Sequence, residues 1–164
     1  MNMTKCSHSP KAAALIMIVN RPEGAAAQGE VEDCLILPFE QRQKARQRVR
    51  LQSGREAALF LPRGAILRHG DVLVSEDGMH IRVEADGEQV TIARTGDVLL
   101  LARIAYHLGN RHVPVQILPD RLVYRHDHVL DDMVAGLGGA VEVTSQPFEP
   151  EEGAYHGGGH AHSH

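Results

Sequence analysis

The chain has 164 residues, a hydrophobic fraction of 43% and a formal net charge of −4. That apolar content is enough to build a core, so a wholly disordered chain is excluded. The longest unbroken apolar run, Ala12–Val19, is far shorter than the roughly 20 residues of a membrane-crossing helix, so we expect no contact with a membrane. Two cysteines, Cys6 and Cys34, offer no disulfide framework, and the cytoplasm is the expected compartment.

Charge and histidine are distributed unevenly along the chain. Residues 1–87 carry 12 Lys and Arg against 11 Asp and Glu, a net charge of +1, whereas residues 88–164 carry 5 against 10, a net charge of −5. Nucleic acid phosphates require basic surface, so the acidic half argues against nucleic acid as a partner. Eight of the eleven histidines lie at or after residue 107, which points to metal chemistry in the second half.

The first half is patterned as short strands separated by turns rich in glycine and proline. No stretch there has a helical period, so we predict a small all-β domain over residues 1–87 that binds a partner or a peptide. The candidate strands cover residues 13–19, 31–37, 47–52, 56–61, 71–75 and 79–84.

A basic stretch within this half alternates charged and other residues, which places the charges on one face of an extended chain. The simplest interpretation is a solvated strand face, and the alternative is a surface that docks acidic partners. Its residues are Arg42, Lys44, Arg46, Arg48 and Arg50.

The pattern changes after Gly87, and residues 88–147 follow a β-α-β-β-α-β order. Strand 88–94 leads into a helix with Thr95 as its expected N-cap and with Gly109 at its end. A hairpin over 113–125 precedes a second helix, which starts after Asp127, and a last strand covers 140–145. This order is that of the ferredoxin-like fold, so the expected class is α+β.

In the two predicted helices, certain apolar residues recur at helical spacing and should face the sheet. They are Val98, Leu101, Ala102, Ala105 and Leu108 in the first helix, and Val129, Leu130, Met133, Val134 and Leu137 in the second.

Residues 148–164 are rich in Glu, Gly and His, a composition that cannot pack a core, and we predict a flexible tail. Imidazole is a ligand for Ni, Zn and Cu, and a glycine-rich string can adapt to the geometry of any of them. The tail therefore predicts metal binding without identifying the metal. Its candidate ligands are His156, His160, His162 and His164.

Three further histidines are candidates for an ordered site. His126 and His128 flank Asp127, so in an extended segment both rings would point the same way, although a helix cap with two surface histidines is an equal alternative. His112 follows a predicted helix end. One imidazole cannot hold a transition metal tightly, but a two-fold dimer would supply a second copy at its axis.

Two segments, Tyr-His-Leu-Gly-Asn-Arg-His-Val-Pro (106–114) and Arg-His-Asp-His-Val-Leu-Asp-Asp-Met (125–133), resemble the signature of the UreE family of urease accessory metallochaperones. Leu61-Pro-Arg-Gly64 and His69-Gly-Asp-Val-Leu73 resemble the N-terminal domain of that family. The resemblance spans nearly the whole chain. It implies a β-rich domain joined to a ferredoxin-like metal-binding domain that forms a homodimer.

The resemblance also implies roles for residues and partners. The principal metal ligand of the family falls on His112, and its secondary histidines fall on His126 and His128. The protein would pass Ni(II) to an accessory GTPase and through that complex to apo-urease. Zn(II) or Cu(II) can bind the same kind of site, since nitrogen ligands discriminate weakly among these ions.

Other classes of function are weighed against this one. An enzyme is disfavoured because the chain lacks H-E-x-x-H, a P-loop and G-x-S-x-G, and no set of catalytic roles is assembled. Storage of nickel or zinc by the histidine-rich tail is the main alternative. A peptide-binding module with incidental histidines is a further one.

Overall fold

The structure, a computed structural model, describes residues 16–20 and 30–152. The first part forms one sheet from β1 (Ile16–Asn20), β2 (Asp33–Leu37), β3 (Arg46–Arg50), β4 (Glu56–Phe60), β5 (Val72–Ser75) and β6 (His80–Ala85). The strand order is β2-β6-β5-β1-β4-β3, and β1 with β4 and β2 with β6 are parallel pairs. Of the predicted first strand, residues 13–15 lie outside the described residues.

The expectation that residues 1–87 contain only strands is wrong at one place. A one-turn helix, α1 (Phe39–Arg42), follows β2, and the amides of Gln41 and Arg42 both donate to the carbonyl of Pro38 at 3.0 and 3.1 Å. A single turn is too short to display a helical period, so the sequence pattern did not reveal it. Arg42 is therefore buried in a helix and does not belong to the basic strand face, whose exposed members on β3 include Arg46, Arg48 and Arg50.

The second part runs β7 (Gly87–Arg94), α2 (Val98–Asn110), β8 (Val115–Leu118), β9 (Arg121–Arg125), α3 (His128–Leu137) and β10 (Ala140–Pro147). Its sheet has the order β10-β7-β9-β8, and all neighbours are antiparallel. The chain as a whole is thus a mixed α+β protein with more strands than helices. In the described part of the chain, no helix is long and apolar enough to cross a membrane.

The predicted N-cap of α2 is wrong by two residues. Asp97, not Thr95, is the cap, and its carboxylate accepts hydrogen bonds from the amides of Leu99 and Leu100 at 2.8 and 3.3 Å. Thr95 instead accepts from the amide of Asp97 at 3.1 Å and so supports the cap from two residues earlier. Both residues are good caps, and only the chain direction after β7 decides between them.

The two helices cover one face of the second sheet. Ile104 and Leu108 of α2 and Val134 of α3 are fully buried, with Tyr124 of the sheet in the same cluster. The predicted faces were wrong at three members, because Val98 is 82% exposed, Val129 is 58% exposed and Ala102 is also exposed. Val98 and Val129 are the first and second residues of their helices, before the turns that pack on the sheet. On α2, the prediction also left out the fully buried Ile104.

The opposite face of this sheet is covered by the first part of the chain. Val90 and Ile92 of β7 and Val123 of β9 pack in one buried cluster with Phe39 and Phe148. The two phenylalanine rings meet edge to face with centroids 5.7 Å apart. The beginning of the predicted tail is therefore packed rather than free, since Phe148 has no exposed surface.

Gly139, between α3 and β10, is a position where one methyl group will destabilise the fold. A Cβ there would lie 2.9 Å from side-chain carbons of Ile104 and Val134 and 3.3 Å from the Val134 carbonyl oxygen. We expect Gly139→Ala to lower the free energy of unfolding by about 1–3 kcal/mol in urea denaturation, because overpacking forces these buried groups apart.

Gly136→Ala is the matched control for that substitution. Gly136 lies inside α3, and a methyl group added to it would meet no atom within 4 Å. Alanine is the better helix former, so this variant should gain about 0.5–1 kcal/mol. Equal effects of the two substitutions would show that crowding at Gly139 is not important.

Candidate metal site

His112 lies two residues after the last residue of α2, following the C-cap Arg111, and adopts a left-handed backbone conformation with φ of 55°. Its amide donates to the carbonyl of Gly109 at 2.9 Å, and the next amide, of Val113, donates to the carbonyl of Leu108 at 3.4 Å. This pair of bonds is the Schellman motif, which satisfies the last carbonyls of a helix. His112 occupies the position of that motif where glycine is the usual residue.

The left-handed position makes a histidine costly, because Cβ crowds the backbone by roughly 1–2 kcal/mol per residue. Among the described residues, His112 is the only non-glycine with positive φ. Its side chain is exposed, so packing does not explain the choice of residue. A strained residue that is not needed for the core is a reason to suspect that its side chain has a function.

His126 follows β9 and is held by a polar network on the helix side of the sheet. Its Nδ1 lies 3.0 Å from Oδ2 of Asp131 and 3.2 Å from Oγ1 of Thr91. A carboxylate only accepts hydrogen bonds, so this contact favours the tautomer with the proton on Nδ1. In that neutral tautomer Nε2 is the nitrogen that can bind a metal, an arrangement typical of metal-ligating histidines.

Tyr124 completes the network from the buried side. Its hydroxyl donates to Oδ1 of Asp131 at 2.8 Å, so one carboxylate orients both the tyrosine and His126. Burial, with the hydrogen bond to Asp131, raises the pKa of Tyr124 far above its usual value. The phenol therefore stays protonated and remains a donor, which keeps the carboxylate in place.

His128 is the first residue of α3, and Asp127 before it is the N-cap. The Asp127 carboxylate accepts from the amides of Val129 and Leu130 at 2.8 and 3.4 Å. The helix-cap alternative for this segment is thus correct for Asp127. His126 and His128 both remain exposed on either side of it.

The structure does not gather the candidate ligands into one site. Over residues 16–20 and 30–152, no group of three or more His, Cys, Asp or Glu side chains is arranged to hold a metal ion. Four of the predicted ligands lie outside the described residues, namely His156, His160, His162 and His164. Any tight site at His112 therefore needs ligands from another copy of the chain or from residues outside those that the structure describes.

His112 is one of the residues that line a cavity of about 580 Å³. Phe39 and Ile66 of the first part of the chain also line it. Its polar lining residues include Gln43, Glu151 and Glu152. The last described residues of the chain therefore line the same cavity as the strained histidine.

The sequence pattern did not reveal the arginine that holds residues 148 and 149 in place. Arg42 is fully buried and donates to the carbonyls of Leu37, Leu67 and Phe148 and to the carboxylate of Glu149. The only available signal was the position of Arg42 just after the apolar Leu-Ile-Leu-Pro-Phe run, which the alternating pattern obscured.

Cys34 is a poor metal ligand in this fold. Burial and then the neighbouring Glu84 raise the pKa of the Cys34 thiol, whose sulfur lies 3.7 Å from a Glu84 carboxylate oxygen. Metal binding requires the thiolate, so the raised pKa disfavours it. Cys6 lies outside the described residues.

Comparison with known proteins gives consistent matches over both parts of the chain. Residues 17–86 match the N-terminal domain of the UreE urease accessory protein, and residues 88–164 match its C-terminal domain. The chain is 49% identical over 155 residues to the urease accessory protein UreE of Citrobacter koseri, covering 92% of this chain and all of that protein. The Proteus mirabilis protein of that name is 53% identical, over 75% of this chain and 76% of its own length. The Pseudomonas putida one is 54% identical, over 80% and 81%.

Proposed function

The chain belongs to the UreE family of urease accessory proteins, and we propose that it binds Ni(II) as cargo and delivers it for assembly of the urease active site. Members of this family are accessory proteins, so the chain is not an enzyme. The element order of residues 87–147 supports assigning them to the ferredoxin-like arrangement. We place the protein in the cytoplasm, where such an accessory protein works.

The observation that carries the proposal is the exposed, strained His112 at the end of α2. It falls within the region that matches the C-terminal UreE domain. An exposed imidazole held by a helix end is accessible to an ion and can also release it, which a delivery site requires. Nitrogen ligands without thiolate suit Ni(II).

A homodimer through the second part of the chain would supply the second imidazole. Exposed apolar side chains on α2 support such an interface, because Val98, Leu99 and Tyr106 are 82%, 60% and 65% exposed. Tyr106 is six residues before His112 in the chain, near the same end of the helix. A two-fold axis there would bring two copies of His112 together, since a symmetric interface pairs each residue with itself near its axis.

His126 and His128 provide a secondary site in this proposal, and the tail histidines complete the shell at His112. Ions would enter through the tail histidines. They would leave when ligands of the accessory GTPase and apo-urease complex replace those histidines. Zn(II) and Cu(II) would compete, since Cu(II) generally binds such ligands more tightly than Ni(II). Selection of Ni(II) over the other two ions would then depend on recognition of the partner proteins.

Nickel titration calorimetry with the mass measured at each step tests the proposal. The comparison is between the full chain and a tail-alanine variant, in which His156, His160, His162 and His164 are all replaced by alanine. We expect one tight site per two chains, with loss in the variant of the weaker sites that the tail supplies and retention of the weaker site at His126 and His128. Binding that depends on the tail alone, in a monomer, would instead indicate storage of nickel or zinc.

Asp131→Asn tests the role of the network around His126. An amide has one acceptor oxygen where the carboxylate has two, so it cannot serve both Tyr124 and His126. Loss of such a partner typically weakens metal binding by about 10- to 100-fold. We expect a loss of about 10-fold at the weaker site of the tail-alanine variant, measured by nickel titration.

Asp132→Asn is the control for Asp131→Asn. Asp132 is the neighbouring carboxylate on α3 and is exposed. The substitution removes the same charge but leaves the contact between Asp131 and His126 in place, and we expect no change in nickel affinity. If both variants lose affinity at the weaker site equally, the affinity depends on net charge and not on the orientation of the His126 ring.

A further inference from the structure

Strand β3 forms one outer edge of the first sheet. In the strand order β2-β6-β5-β1-β4-β3 it pairs with β4 on one side, and no strand in the described part of the chain pairs with its other side. A strand in this position presents a row of backbone amides and carbonyls to which a further strand can bond.

Two hydrogen bonds show which residues of β3 present these groups. The amide of Leu61 donates to the carbonyl of Ala45 at 2.7 Å, and the amide of Leu51 donates to the carbonyl of Arg55 at 2.9 Å. Hydrogen-bonded and non-hydrogen-bonded pairs alternate along an antiparallel ladder, so the odd-numbered residues of β3 bond to β4. The backbone groups that point away from the sheet therefore belong to the even-numbered residues, Arg46, Arg48 and Arg50.

The same three residues carry the exposed charges of the strand. Successive side chains of a strand point to opposite faces, so Arg46, Arg48 and Arg50 share one exposed face while Val49 is buried on the other. Arg50 lies 3.6 Å from Glu56, whereas no carboxylate of a described residue forms an ion pair with Arg46 or Arg48. We call Arg46, Arg48 and Arg50 the arginine edge.

We propose that the arginine edge binds an extended, acidic segment of a partner protein, which adds a seventh strand to the sheet, antiparallel to β3. Each arginine then exchanges two backbone hydrogen bonds with the residue opposite it, whose side chain lies on the same face as the guanidinium group. A segment with a carboxylate at every second position satisfies all three arginines. The inference goes beyond the proposed function, because no candidate metal ligand lies on β3.

Protection of the edge is the simpler role for these charges, since charged residues on an edge strand prevent two molecules from pairing edge to edge. Two features favour docking. A guanidinium group is planar and binds a carboxylate through two parallel hydrogen bonds, which repulsion alone does not require. Phe60 lies directly opposite Arg46, on the same face, and is 38% exposed, so an apolar contact is available beside the charges.

Fluorescence anisotropy with a labelled peptide, Thr-Glu-Val-Glu-Thr-Glu-Thr blocked at both ends, tests the proposal on the full chain at low salt. The double variant Arg46→Gln with Arg48→Gln should bind the peptide about tenfold more weakly, since each lost cross-strand charge pair costs about threefold. Both side chains are exposed, so thermal unfolding of the variant should be unchanged.

The control protein carries Arg63→Gln with Arg82→Gln. Both arginines are exposed in the first part of the chain and lie outside β3, so this variant removes the same charge from other positions. Its affinity for the peptide should change by about twofold at most, because exposed charges at a distance are screened by salt.

Two control peptides separate strand addition from charge attraction. The first has the parent sequence with N-methyl groups on its three glutamate amides, which removes the donors to β3 but keeps the charge. It should bind about tenfold more weakly or worse, because three hydrogen bonds are lost. The second, Thr-Thr-Glu-Glu-Glu-Val-Thr, has the same composition but places one glutamate on the opposite face. It should bind about threefold more weakly.

Three outcomes would overturn the inference. If the double variant keeps its affinity for the peptide and self-associates in light scattering, the arginines only protect the edge. If both control peptides bind as well as the parent, the edge attracts negative charge without adding a strand. If a single-stranded oligodeoxythymidylate of equal net charge competes as well as the unlabelled peptide, the edge is a general surface for anions.

Discussion

Replacing His112 by glycine is expected to remove the tight nickel site while leaving the fold as stable as before or more stable. Glycine relieves the left-handed strain at the end of α2, where φ is 55°, and should add about 0.5–1 kcal/mol to the free energy of unfolding. Nickel affinity at the tight site should fall at least about 100-fold, since each dimer loses two inner ligands where loss of an outer partner alone costs about 10- to 100-fold. Titration calorimetry and urea denaturation of the metal-free protein measure the two effects.

His112→Asn separates the imidazole from the backbone conformation. Asparagine tolerates the left-handed region better than most residues, so the fold should be unchanged while the tight site is lost. If the glycine variant gains stability and loses nickel binding, the function of His112 depends on its side chain and not on its contribution to the fold. A glycine variant that loses stability as well would mean that His112 has a packing role, which the structure does not contain.

Arg42→Met is the substitution with the largest expected effect on stability. Arg42 is fully buried, and its loss leaves the carbonyls of Leu67 and Phe148 without this donor, whereas Glu149 keeps Arg68 and the Leu37 carbonyl keeps the amide of Asp86. Each buried polar group left without its partner costs about 1–3 kcal/mol. We therefore expect the free energy of unfolding to fall by about 2–6 kcal/mol, measured by urea denaturation.

Arg46→Met provides the comparison for Arg42→Met, because Arg46 is exposed on the edge strand β3. Surface substitutions of this kind change stability by less than about 0.5 kcal/mol. A loss below about 1 kcal/mol for Arg42→Met would show that the hydrogen bonds of Arg42 are dispensable for holding the two parts together.

The strands and helices were predictable where a pattern extends over several residues. β7, β9 and both long helices lie close to their expected positions because alternation and helical spacing survive in any context. α1 was not predictable, since one turn has no period. The N-cap of α2 was misplaced because Thr95 and Asp97 are both good caps, and only the direction of the chain after β7 selects one.

The candidate site was predictable only in its residue types. The sequence identifies His112, His126 and His128 as candidates, but it does not show that His112 has positive φ. Nor does it show that Asp131 orients His126, because that contact depends on how α3 packs beside the end of β9. Arg42 was assigned to a surface strand, since alternation in sequence cannot distinguish an exposed charge from a buried one whose partner, Glu149, lies 107 residues away.

In the proposed dimer, nickel is held between two copies of His112. Anomalous diffraction at the nickel edge, from crystals of the nickel-loaded full chain, locates the ion. We expect one strong peak on a two-fold axis, within bonding distance of the imidazole nitrogens of His112 from both chains. Nickel peaks confined to His126, His128 or the tail, with both His112 rings free of metal, would contradict it.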